Sequence, residues 1–64
     1  MKLQEKRKSA GLSQSQLAEK SGISVRVLQN YEQGSRDINK ASGETLKKLA
    51  DALGCQIENI MEEK

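Results

Sequence analysis

Apolar residues recur along this chain at helical spacing and never alternate with polar ones for long enough to build a strand. Leu46, Leu49, Ala50 and Leu53 fall at i, i+3, i+4 and i+7, the stripe of an amphipathic helix. Ser42 stands where its hydroxyl can cap the first turn, and Gly54 where a left-handed residue ends the last. Leu3, Arg7 and Ala10 share a face of a weaker first helix that Gly11 closes. Ser13-Gln14-Ser15-Gln16 has the form of a capping box ahead of Leu17 and Ala18: the serine hydroxyl takes the third backbone amide and the glutamine reaches back to the cap. A second helix therefore starts there and stops at Gly22. Ser24 caps a third, which runs through about Gln33 to Gly34, and Ile57, Ile60 and Met61 predict a short last helix. The expected fold is all-α, with five helices.

The third helix has two unlike sides. At about 100° per residue, Val27, Leu28 and Tyr31 point one way, and Arg26, Gln29 and Gln33 the other, flanked by Val25 and Asn30. Leu17, Ile23, Leu28 and Tyr31 fill the wedge between the second and third helices. Ala18 is small where those helices cross, and Gly22 takes the positive φ that lets the chain reverse in about four residues. Long amide and guanidinium side chains on the outer face suit the donor and acceptor edges of a DNA major groove, which is wide enough to admit a helix. The bland alternative is a face that meets only water, as most surface residues do.

Composition narrows the chemistry. Sixty-four residues hold one small domain, spanning 1–64, with no chain left over for a separate sensor. Histidine is absent, Cys55 is the single cysteine and Tyr31 the single aromatic residue. That excludes an intrachain disulfide, a Cys/His zinc set and any Ser-His or Cys-His nucleophile. Cys55 reads as a small buried thiol in a reducing compartment. Glu44, Asp51 and Glu58 alternate with lysines on exposed helical faces, so no enzyme, metal or cofactor is expected. The longest apolar run is two residues, which leaves no membrane span and no signal peptide and makes the cytoplasm the expected location. The net charge of +2 is weak, but residues 1–40 carry eight basic and four acidic groups and residues 41–64 three and five. The positive potential belongs to the first two thirds, where a phosphate-bearing ligand would approach.

Leu12-Ser13-Gln14-Ser15-Gln16-Leu17-Ala18-Glu19-Lys20-Ser21-Gly22-Ile23-Ser24, then Tyr31-Glu32-Gln33-Gly34, then Glu44-Thr45-Leu46-Lys47-Lys48-Leu49-Ala50-Asp51-Ala52-Leu53-Gly54, with Ile57 to Met61 closing, together resemble the lambda-repressor-like, Cro-type helix-turn-helix regulators of the XRE family. The match is specific because small, apolar and glycine positions recur in register. The resemblance implies a five-helix domain that binds double-stranded operator DNA as a two-fold homodimer, with the third helix in the major groove. It puts Val25, Arg26, Gln29 and Asn30 at base edges and Gln14 on a phosphate. It also puts Gln33, Gly34, Ser35, Arg36 and Lys40 along the sugar-phosphate backbone, and it pairs Arg7 with Glu32 as a structural tie between the first and third helices. Arg26 can fork onto guanine N7 and O6, and Asn30 can pair adenine in the same two-point way. Val25 departs from the polar residue that family members often carry; it either meets a thymine methyl or faces inward. Asp37 weakens the field of the loop, and Ile38 anchors the loop on the core.

The function so implied is sequence-specific regulation of transcription. Repression is the default mechanism, because occupying an operator over a promoter needs only affinity. A signal would then come through a second protein, proteolysis or concentration. Two alternatives stay open: a small helical interaction module that binds a protein through Ile57, Ile60 and Met61, and an antitoxin-type regulator that binds both DNA and protein.

Overall fold

Every helix starts at a polar cap or ends at a glycine that the local sequence supplies. The computed structural model describes residues 1–62, in which α1 spans Lys2–Ser9, α2 Gln14–Ser21, α3 Val25–Gln33 and α4 Gly43–Leu53, with single 3-10 turns at Ile38–Lys40 and Ile57–Asn59. Among the described residues there is no strand. Ser13 Oγ accepts the Gln16 N–H at 3.1 Å while Gln16 Oε1 accepts the Ser13 N–H at 2.8 Å, closing the capping box of α2. Ser24 Oγ accepts from Arg26 N–H and Ser42 Oγ from Thr45 N–H, each at 3.1 Å. These bonds satisfy amides that the helices themselves leave without partners. At the other ends, α1 and α4 close with paired backbone bonds: Leu12 N–H to Arg7 O with Gly11 N–H to Lys8 O, and Cys55 N–H to Ala50 O with Gly54 N–H to Asp51 O. Both are Schellman closures.

The core is assembled from five of the six elements and from Ile60, which directly follows the sixth. Leu3 of α1, Leu17 of α2, Leu28 of α3, Ile38 of the first 3-10 turn, Leu49 of α4 and Ile60 after the second turn are all fully buried and belong to one cluster. Each contributes about 1.5–3 kcal/mol of burial. Tyr31 closes the cluster, and Leu12, Ile23, Val27, Leu53, Ile57 and Met61 pack half-buried around it. Among the described residues no buried side-chain nitrogen or oxygen lacks a hydrogen bond, as a core this small requires.

Ala10, expected beside Leu3 and Arg7, is exposed because α1 ends one residue before it and Ala10 is the cap. The expected fifth helix is replaced by the turn Ile57–Asn59. An α-helix through this segment would send the Glu62 N–H to the Glu58 carbonyl. Instead that N–H donates to Asn39 Oδ1 at 2.8 Å, and Asn39 Nδ2 donates to the Glu62 carbonyl at 2.7 Å. Ile57 and Ile60, three residues apart, share a face of a 3-10 turn as well as of a helix, so Ile60 still reaches the core. The Glu62 side chain has a structural role too: its Oε1 accepts the Lys2 N–H at 2.9 Å, at the start of α1, where Met1 offers no side-chain cap.

Candidate nucleic-acid interface

α2, the turn Gly22-Ile23-Ser24 and α3 form one unit. Gly22 has φ 75° and its N–H bonds the Ala18 carbonyl. A Cβ at Gly22 would meet nothing within 4 Å, so the left-handed backbone, and not space, is what asks for glycine. Ala18 lies half-buried against the core cluster. Leu28 and Tyr31 of α3 are buried, whereas Arg26, Gln29 and Gln33 are exposed and Asn30 is half-buried. Val25 is 37% exposed, so it does not face inward. The outer side of α3 therefore carries a guanidinium, three amides and one isopropyl group, all on a helix whose inner side is locked in the core.

The loop after α3 continues this face. Gly34, at φ 83°, ends the helix, and the Arg36 N–H folds back to the Asn30 carbonyl at 3.2 Å. Ser35, Arg36 and Lys40 are exposed while Ile38 between them is buried. Asp37 caps the 3-10 turn, its Oδ1 accepting the Asn39 N–H at 2.9 Å.

Behind α3, Arg7 and Glu32 meet in a two-pronged ion pair, Nε to Oε2 at 2.8 Å and Nη2 to Oε1 at 2.9 Å. The Arg7 and Glu32 side chains are 10% and 3% exposed. Arg7 Nη1 also donates to the Leu12 carbonyl at 2.7 Å, and Gln14 Nε2 donates to Glu32 Oε1 at 3.1 Å. Side chains of α1 and α2 thus converge on one carboxylate of α3. The hydrogen bond to Glu32 raises the Arg7 pKa against the opposing effect of burial, and the charge of Glu32 adds to it. Burial alone would push the Glu32 carboxyl up. The hydrogen bonds from Arg7 and Gln14, with the positive charges of Arg7 and Lys8, outweigh burial and hold it below the ordinary carboxylate value. Gln14, half-buried at the start of α2, is accordingly tied to the ion pair on one side of its amide.

Asn39 and Glu62 have no counterpart in the sequence reading. They lie 23 positions apart, and nothing local in the chain signals that they meet.

Two short helices crossing over a tight turn, the second buried on one side and polar on the other, define a helix-turn-helix protein. Residues 3–60 match the family model described as Helix-turn-helix (HTH_3). The chain belongs to this lambda-repressor-like, XRE-type family, whose members are DNA-binding regulatory domains and not typically enzymes. Compared with curated proteins and with solved structures, the chain gives no match. Among the described residues no helix is long and apolar enough to cross a membrane.

Proposed function

We propose that the protein is a sequence-specific repressor that lays α3 in the major groove of double-stranded operator DNA and acts as a homodimer. The observation that carries this reading is the division of α3: Leu28 and Tyr31 are buried while Arg26, two residues before Leu28, and Gln29, one after it, stand open to solvent. Arg26 forks onto a guanine and Asn30 onto an adenine. Gln29 offers a third amide, and the exposed Val25 sits against a thymine methyl. Gln33, Ser35, Arg36 and Lys40 hold the sugar-phosphate backbone and set the register without specifying sequence. Gln14 joins them, since an amide NH2 has two donors and the bond to Glu32 uses one. Repression follows from occupancy alone, with no surface needed to recruit polymerase.

The test is selection of bound sequences from a random duplex pool, followed by titration at several salt concentrations. A defined consensus and an affinity that falls steeply with salt, by a log-log slope of about −0.9 per neutralised phosphate, are expected. No binding to any duplex at low salt would overturn the reading in favour of a protein-partner module.

A further inference from the structure

The loop that follows α3 is fastened to the body of the molecule by a side chain that the DNA reading leaves unused. Asn39 sits in the 3-10 turn between buried Ile38 and exposed Lys40. Its amide makes a two-point clip on Glu62: Nδ2 donates to the carbonyl at 2.7 Å and Oδ1 accepts the N–H at 2.8 Å. A primary amide presents a donor and an acceptor side by side, which is what the main chain of a single residue needs to be bonded through both its N–H and its C=O. Glu62 is itself bonded to the first turn of α1 through its carboxylate and the Lys2 N–H. It also lies outside residues 3–60, the span that the family model matches, so the clip is not something membership of the family supplies.

We infer that Asn39 is a positioning residue for the grip on the DNA backbone: by clipping the Ile38–Lys40 turn to Glu62, it fixes where Arg36 and Lys40 stand before DNA arrives. This rests on the DNA-binding reading above. Ile38 alone is a greasy anchor that resists withdrawal but leaves the turn free to pivot. A directional two-point hydrogen bond on the next residue removes that pivot. The turn is held from within as well, because the Asn39 N–H is taken by Asp37 and the Lys40 N–H by the Asp37 carbonyl. Without the clip the turn pivots away from the DNA backbone, so that a phosphate contact of Arg36 or Lys40 is lost outright. Asn39 needs no contact with DNA to act in this way.

The test compares the full chain with Asn39→Ala and with Glu62→Pro, which leaves Asn39 in place but deletes the N–H that it accepts; Glu62→Ala, which removes only the carboxylate bonded to the Lys2 N–H, is the control and is expected to keep its slope. Each is titrated with the random duplex pool over a salt series, and circular dichroism reports the folded fraction at the binding temperature. Both variants are expected to bind all sequences roughly 3- to 10-fold more weakly, with a salt slope shallower by about 1, as for loss of a phosphate contact, and an unchanged selected consensus. A chain that had merely lost stability would bind more weakly with its slope intact. Each affinity is divided by the folded fraction measured at the same salt concentration, so the slope reports only molecules able to bind. An unchanged slope in either Asn39→Ala or Glu62→Pro overturns the inference, whatever the affinity. Failure of the unaltered chain to bind any duplex is a separate outcome, and overturns the DNA reading together with this inference.

Discussion

On the proposed reading, base choice turns first on Arg26. It is exposed on the first turn of α3, with its backbone N–H held by Ser24, so its side chain can be removed without opening the core. Arg26→Ala is expected to keep the fold and to relax one base position in each half-site by about 1–3 kcal/mol of discrimination. Selection from a random duplex pool would show this, and an unchanged consensus would remove Arg26 from the reading set. Arg7 behaves in the opposite way. Its charge is buried and matched by Glu32, so Arg7→Ala strands a carboxylate at a cost of about 3–5 kcal/mol. That is comparable with the whole stability of roughly 3–10 kcal/mol expected for a domain of this size. The variant should lose DNA binding by unfolding, which denaturant titration would detect. The same pair sets an acid limit. Because the Glu32 pKa is lowered in the folded state, its contribution is fully present above about pH 4.3, the unfolded value, and is lost as pH falls through the lower folded value. The Arg7 pKa is raised, so that group's own contribution is present below its unfolded value and is lost only as pH rises through the still higher folded one, outside any working range. Glu32→Gln should therefore be much less stable than the unaltered chain at pH 7, and the gap should narrow below pH 4, as measured by urea unfolding at the two pH values.

The helices take their ends from interactions spanning three to five residues, and such ends are legible in a sequence. Ser13 with Gln16, Ser24 and Ser42 mark starts, and Gly22, Gly34 and Gly54 mark stops with left-handed φ angles. Ser13→Ala should cost about 1 kcal/mol. Gly22→Ala should cost about 1–2 kcal/mol, although its methyl would touch nothing, because the penalty lies in the backbone. Thermal unfolding of the two variants would check both. The two faces of α3 were legible for the same reason, since helical periodicity alone separates Leu28 from Arg26 and Gln29. The segment after α4 was not. Its apolar spacing suits an α-helix and a 3-10 turn equally, and the choice is made by Asn39, which captures the Glu62 N–H from 23 residues away. The Ala10 position failed by a smaller margin: the Schellman closure at Gly11 ends α1 just early enough to leave Ala10 in water.

At the scale of the whole molecule, the dimensions bear on how many copies an operator needs. The chain measures 27 × 22 × 20 Å, and α3 is nine residues long. At 1.5 Å per residue and 3.4 Å per base pair, such a helix lies along only about four base pairs. A four-base-pair word recurs by chance about once in 256 positions, far too often to mark one site among the roughly 10⁶ or more that a genome offers. A second reading helix about a two-fold axis doubles the word. The longest dimension of the molecule is also shorter than the ~34 Å of one DNA turn, so two copies fit side by side in successive major grooves on the same face of the duplex. The selected consensus should therefore be a palindrome whose half-site centres lie about 10 base pairs apart. Inserting about five base pairs between the halves rotates them to opposite faces and should reduce affinity to that of an isolated half-site, whereas inserting a full turn restores the facing. A selected site without symmetry, or one indifferent to the five-base-pair insertion, would mean that a single copy reads DNA on its own.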